Sequence, residues 1–192
     1  MKIAVVCAMN QNRSMEAHYL LRKEGYDVRS YGTNPVIKLP GPSIVSPNEY
    51  TYATTYQEIH TDLVRKDERL YQENGLLMLM ERNMQIKERP EYFFDGKDTF
   101  DLVITCEEKC FTAVFDHYTS RRCAPGRQRC YLVNFDVNDT QQDAICGSQE
   151  IAGFVAYLSE YGEDDLEESM LKVLDKYMKN SRTQLLFSVV DC

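Results

Sequence analysis

The chain has 192 residues, 43% of them hydrophobic and 27% charged, enough for one substantial core and no more than a domain with a small lobe. Thirty Asp and Glu against 22 Lys and Arg leave a net charge of −8, which argues against nucleic-acid binding through a basic face and requires any phosphate site to be locally positive. No apolar run approaches a bilayer span, the amino end lacks a secretory h-region, and seven cysteines without a regular framework fit free thiols in a reducing compartment.

In chain order, residues 2–7 form a continuous apolar run suited to a strand buried on both faces, and "SMEAHYLLRKEG" follows as a helix closed by Gly25. "YDVRSYGT" reads as a second short strand and "NPVIKLPGPS" as a proline-rich loop. Tyr56, Ile59, Leu63 and Leu70 recur at helical spacing, and "LLMLMERNMQIK" forms a shorter helical segment, so residues from about 50 to 90 read as a helical insertion or cap. Strand-like "FDLVITCEE", helix-like "KCFTAVFDHY" and strand-like "CYLVNFDV" come next. Ile145, Ile151, Phe154, Val155 and Leu158 suit one amphipathic helix; Leu166, Met170, Val173, Leu174, Tyr177 and Met178 suit another with an acidic first turn. The alternation predicts a single α/β domain over residues 1–192, three-layered, with a mostly parallel central sheet flanked by helices.

Ligands in open α/β sheets bind beyond the carboxyl ends of the strands, which is where "CAMNQNRSMEAH" begins. Backbone N–H groups of residues 8–14, with a helix N-terminus behind them, suit a phosphate dianion, and Arg13 can add a bidentate contact. The loop has no glycine, so Asn10 and Asn12 are the residues best able to take positive φ. The same surroundings favour a Cys7 thiolate, to which the Ser14 hydroxyl can donate. Spacing alone does not single out Cys7, because "CAPGRQRC" sets Cys123 and Arg129 equally far apart. That stretch follows polar residues, contains Pro125 and leads into a strand, which makes it a surface loop. A zinc set from Cys106, Cys110, Cys123 and Cys130 lacks short pairing in its second half. A buried structural thiol is the plainer alternative for Cys7.

Expelling a hydroxyl oxygen from phosphorus calls for a proton donor at the same end of the sheet. Asp136 and Asp139 in "YLVNFDVNDT" lie at and beyond a strand end, Asp139 further into the loop; a turn or helix cap is the alternative role for each. His18, His60 and His117 fall within helices and read as partly exposed structural residues.

The ordered set "VVCAMNQNRSMEAH", "VRSYGT", "KLPGP", "YQENGLLMLMERN", "FDLVITCEE" and "VNFDVND", spread over nearly the whole chain, resembles the Ssu seventy-two family. These are phosphatases of the RNA polymerase II carboxy-terminal domain with a fold like low-molecular-weight protein tyrosine phosphatases plus added helices. The resemblance implies that Cys7 is the nucleophile, Arg13 the phosphate clamp, Ser14 the thiolate partner and Asp139 the acid that later activates water, with Asp136 supporting. Ala8, Met9, Asn10, Gln11 and Asn12 would form the phosphate loop, and Lys38, Leu39, Pro40 and Leu79 the substrate groove. It further implies fifth-position, and less readily seventh-position, phosphoserine of the heptad repeat as substrate, with the following prolyl bond cis. A small cis population is available at X–Pro bonds. The expected partners are the phosphorylated carboxy-terminal domain and a symplekin-type scaffold of the cleavage and polyadenylation machinery, without metal, cofactor, nucleic acid or membrane. The nucleus is the expected location, with the cytoplasm left open.

The sequence departs from the family pattern at Met9, usually serine, at Glu81, usually aspartate, and in "SRRCAPGRQRC" and "LLFSVVDC". These departures keep two alternatives in view: a slow or inactive paralogue that holds phosphorylated tails, and a tyrosine phosphatase or arsenate reductase on the same scaffold.

Overall fold

The computed structural model describes residues 1–43, 45–120, 128–160, 166–180 and 185–191. Its first half runs β1 (Lys2–Cys7), α1 (Arg13–Lys23), β2 (Asp27–Gly32), β3 (Ile37–Ser43), β4 (Ser46–Tyr50), α2 (Tyr56–Glu73) and α3 (Leu76–Ile86). After a short 3₁₀ turn at Phe93–Asp95 come β5 (Leu102–Thr105), α4 (Glu108–Ser120), β6 (Arg129–Asn134), α5 (Gln141–Glu160), α6 (Leu166–Asn180) and β7 (Leu186–Asp191).

The main sheet has the order β2-β1-β5-β6-β7, its first four strands parallel and β7 antiparallel to β6. Period-two alternation builds a core on each face. Ile3, Val5, Cys7, Leu102, Ile104, Cys106, Tyr131 and Val133 pack against buried residues of α1, α5 and α6, while Ala4, Val6, Val103 and Leu132 pack with Val114 and Tyr118 of α4. Helices therefore cover both faces of a mostly parallel sheet. The chain leaves β1 toward β2 on one side and later returns to β5 on the other, so the end of β1 is a topological switch point and a crevice opens there.

A third cluster joins Met15 of α1 to Ile37, Leu39, Tyr56, Ile59, Leu63, Tyr71 and Met80, fixing β3, α2 and α3 beside the open end of β1. Thr55 and Glu58 form a reciprocal capping box at the start of α2. Gly75, at φ 80°, turns the chain from α2 into α3, and a Cβ there would meet the Gln141 side chain at 2.0 Å.

Two local expectations are corrected, and one strand is added to them. "VIKLPGPS" is not a loop but contains all of β3, paired only with β4 in a two-stranded hairpin; Pro40 and Pro42 are tolerated because no third strand needs their missing N–H groups. The ending "LFSVVD" forms the edge strand β7. Ile145 lies on the outer face of α5 at 41% exposure, rather than in the core stripe with Ile151, Phe154, Val155 and Leu158. The Cys123 stretch lies outside the described residues, as does the Met178 side chain.

Candidate active site

Cys7 ends β1 and is 3% exposed, on the sheet face covered by α1 and α5. Its sulfur lies 3.0 Å from Ser14 Oγ, which also receives Asn10 Nδ2 at 3.0 Å. With Cys7 as a thiolate, which can only accept, the Ser14 hydroxyl donates to Sγ while accepting from Asn10. Asn10 takes φ 54°, the one positive value at a non-glycine among the described residues, as its residue type allows. Its Oδ1 accepts from Glu91 N–H at 3.0 Å and its carbonyl from the Tyr56 hydroxyl at 2.6 Å. Asn12 does not share this conformation: its φ is −114°, and it works through its side chain instead.

Arg13 opens α1 and is 5% exposed. Its Nη1 donates to the carbonyls of Cys106 at 3.3 Å and Val137 at 3.0 Å and to Glu107 Oε2 at 3.2 Å, while Nε faces Asp139 Oδ1 at 3.4 Å. Burial opposes this charge, but Cys7, Asp139 and Glu107 outweigh it and raise the guanidinium above its ordinary range. Asn12 Nδ2 donates to Asp139 Oδ1 at 3.0 Å and to the Thr140 carbonyl at 3.2 Å, so the Asp139 carboxylate is held at the rim of the loop.

A cavity of about 370 Å³ opens over Cys7. Met9, Lys38, Leu39 and Pro40 form one side, Leu76 and Leu79 the other, and Asn12 and Asp139 also line it. Lys38 donates its backbone N–H to Met9 Sδ at 3.1 Å, tying the loop to β3, and its ammonium pairs with Glu49 at 2.8 Å. Ala8 joins the loop to the chain after β2, its carbonyl accepting from the N–H groups of Thr33 at 3.0 Å and Asn34 at 2.8 Å. Gln11 is buried beneath the cavity, and its amide makes no hydrogen bond among the described residues.

Cys7 and Asp139 thus line one cavity with Met9, Gln11 and Asn12 of the loop and the four groove residues, while buried Ser14 and Arg13 stand behind it against Cys7 and Asp139. Asp136 is not among them. It is exposed and lines a separate surface depression with Glu107, Glu108 and Lys109, because alternation after β6 sends Asp136 and Val137 in opposite directions. His18 is buried, not partly exposed: its Nδ1 lies 2.8 Å from Ser30 Oγ, whose own proton goes to Met15 Sδ at 3.2 Å. Burial, then Lys87, Arg22 and Arg29, push its pKa down to about 4, leaving a neutral ring away from the cavity. His60 faces Glu81 at 3.6 Å, and His117 packs against Phe93 and Phe94.

Cys130 is the second residue of β6, at the opposite end of the sheet from Cys7 and within the other face's core, and Cys123 is outside the described residues. Among the described residues no group of three or more His, Cys, Asp or Glu is placed to hold a metal ion. No helix is long and apolar enough to cross a membrane among those residues. Sequence reasoning missed Arg82 and Asn83 of α3, which donate to the carbonyls of loop residues about 70 positions away. The tripeptide "ERN" within α3 was a signal for them, without a role attached.

A family model described as Ssu72-like protein matches residues 1–191. A Danio rerio protein, named SSU72 and described as a phosphatase of the RNA polymerase II C-terminal domain, is 43% identical over 189 residues, covering 98% of this chain and 96% of its own length. An Ssu72 structure, concerned with how modifications on the C-terminal domain of RNA polymerase II fine-tune its phosphatase activity, superposes with a TM-score of 0.96 at 35% identity, covering 100% of this chain and 98% of that one. Drosophila melanogaster Ssu72 with Symplekin, bound to a cis peptidomimetic phosphoserine peptide of that domain, gives 0.94 at 35% identity with the same coverage.

Proposed function

This chain belongs to the Ssu72-like protein family, and we propose from that premise and from its site that it is a cysteine-dependent serine phosphatase of the RNA polymerase II carboxy-terminal domain. The observation that carries the reading is the Cys7 sulfur held by Ser14 in a cavity lined also by Asp139, with Arg13 behind it against that carboxylate. Its substrate is the heptad repeat phosphorylated at the fifth and, less readily, the seventh position, with the next prolyl bond cis. Lys38, Leu39 and Pro40 on one wall and Leu79 on the other line the groove in which the prolyl isomer is selected. It acts in the nucleus with a symplekin-type partner, in transcription and pre-mRNA 3′-end processing. The whole chain serves as one phosphatase domain, α2 and α3 forming its cap.

In the first step the Cys7 thiolate attacks phosphorus; the S–P bond forms as the bond to the serine oxygen breaks, and the Asp139 carboxyl gives its proton to that oxygen. Arg13 and the loop N–H groups stabilise the charge spread over the equatorial phosphoryl oxygens. In the second step Asp139, now a carboxylate, takes a proton from water as its oxygen attacks phosphocysteine, releasing orthophosphate and the thiolate. Ser14, 3.0 Å from Cys7 Sγ, donates to the thiolate and stabilises it as attacking and as leaving group. Asp136, out at the neighbouring depression, has no place in either step.

The test is orthophosphate release from heptad peptides phosphorylated singly at each serine, each fixed in the cis or trans prolyl form, run beside Cys7→Ser. Release fastest from the fifth-position cis peptide and abolished in Cys7→Ser is the expected result. Persistent release by Cys7→Ser overturns the mechanism, and tight peptide binding without turnover identifies a phosphopeptide holder instead.

A further inference from the structure

In a trans peptide unit the carbonyl and the N–H point in opposite directions, so a loop can aim N–H groups at a phosphate only if its carbonyls turn away and find donors there. Thr33, Asn34 and Tyr56 serve the carbonyls of Ala8 and Asn10. Of the last two carbonyls before α1, that of Asn12 already accepts from Glu16 N–H at 2.9 Å as the first bond of the helix, and that of Gln11 depends on α3. Arg82 Nη2 donates to the Gln11 carbonyl at 2.8 Å and the Asn12 carbonyl at 3.4 Å, and Asn83 Nδ2 donates to the Gln11 carbonyl at 2.9 Å.

Arg82 is itself tightly placed. Its Nη1 pairs with Glu16 on α1, while Nε and Nη2 donate to Asn83 Oδ1 at 3.1 and 2.8 Å. Its side chain is 16% exposed and Asn83 is fully buried, so both sets of bonds lie largely out of water. The carbonyls they hold precede the N–H groups of Asn12 and Arg13, at the point where the loop meets the dipole of α1. A loop without glycine has little intrinsic preference for this curled shape, and donors from outside must impose it.

We propose that Arg82, oriented by Glu16 and Asn83, is a positioning residue for phosphoryl transfer: its Nη2, together with Asn83, turns the Gln11 carbonyl outward so that the Asn12 N–H faces the phosphoryl oxygens. This rests on the reading of Cys7 as nucleophile and extends it by giving α3 a part in the chemistry besides lining the groove. A plain salt bridge stapling α3 to α1 is the competing account. It predicts that Arg82→Gln lowers the melting temperature about as much as Glu16→Gln and leaves turnover alone.

The experiment uses the full chain with a fifth-position phosphopeptide and with vanadate as an oxyanion probe, melting temperatures being recorded in parallel. Arg82→Gln is expected to lower kcat by about 30-fold or more, as loss of aligned oxyanion donors does, and to weaken vanadate inhibition about tenfold. KM for the peptide should move by less than about threefold, because the groove walls are untouched. Arg82→Lys keeps the charge but lacks the planar fork that reaches Glu16 and the Gln11 carbonyl together, so an intermediate kcat is expected. Unchanged kcat and vanadate inhibition in Arg82→Gln overturn the proposal, as does a wild-type kcat in Arg82→Lys if the glutamine variant fails to fold. Wild-type turnover and its loss in Cys7→Ser are measured first. Failure there refutes the nucleophile, whereas normal turnover with insensitive Arg82 variants refutes only the positioning role.

Discussion

Cys7 and Cys106 follow directly on Val6 and Thr105, which are register partners in adjacent parallel strands, and both side chains belong to the core on the same sheet face. Beyond the strands their surroundings part. After Cys7 the chain curls into a loop with outward-held carbonyls, and α1 begins with Arg13. After Cys106 it passes through Glu107 to α4, whose first residue is Glu108, so two carboxylates stand at that helix N-terminus. Cys106 is fully buried, and burial first, then the charge of Cys7, push its thiol up. A strand end in the right crevice therefore does not make a nucleophile; the loop that follows it does.

The largest expected difference between the two is kinetic. Cys7→Ser should lower phosphate release by about four orders of magnitude or more, as loss of a nucleophile does elsewhere. Cys106→Ala should leave kcat within about threefold and cost on the order of 1 kcal/mol in a thermal melt, the scale of a small buried truncation. Equal losses in both variants would erase the contrast. The two aspartates after β6 extend it. Asp139→Asn is expected to lower release from a phosphoserine peptide about 10²- to 10³-fold, the scale of general acid catalysis, and an aryl phosphate with a good leaving group much less. Asp136→Asn should stay within about twofold with both substrates. A large loss in Asp136→Asn would mean that the depression beside Glu107 takes part after all.

The same contrast explains how much could be read from residues alone. Buried strands, their helices and the position of Cys7 were legible, because period-two and period-3.6 apolar patterns carry through to the three cores. The β3–β4 hairpin was not, since prolines mark loops far more often than isolated strand pairs. Strand β7 was hidden because its partner strand lies more than 50 residues earlier and its own apolar pattern is brief. Within the site, Asp136 and Asp139 are equivalent on a sequence ruler, and only the twist of the chain after β6 separates them. Arg82 and Asn83 were invisible for a different reason. Side-chain donation to a carbonyl about 70 residues away leaves no periodicity or composition signal, only the polar run "ERN" after the apolar start of α3.

Alkylation probes the cysteines by reading reactivity without substrate. Burial also pushes the Cys110 thiol up; it lies 3.2 Å from Thr33 Oγ1 and 3.3 Å from Glu107 Oε1. A raised value keeps a thiol protonated as pH rises, and the thiolate is the reacting form. At pH 9 iodoacetamide should therefore modify Cys106 and Cys110 at least about tenfold more slowly than exposed Cys146, read by peptide mass spectrometry over time. Vanadate should protect Cys7 while leaving Cys146 unaffected. Fast labelling of Cys106 would show that its core opens readily and that the distinction from Cys7 is one of access alone.

The smallest expected effect belongs to Met9, the loop residue that departs from the family pattern. Its sulfur accepts the Lys38 N–H and its side chain faces the cavity beside Leu39 and Pro40, so it belongs to the groove as much as to the loop. The Met9 carbonyl and N–H remain available to a serine in the same place, and Asn10 alone carries the unusual backbone conformation. Met9→Ser should accordingly leave kcat unchanged and raise KM for the heptad peptide about two- to threefold, the size expected from losing part of a methionine's apolar contact. A small aryl phosphate, which does not reach the β3 wall, should show no change in either constant. A fall in kcat of more than about tenfold on both substrates would place the thioether in the phosphate cradle, and the line drawn between loop and groove at residue 9 would have to move.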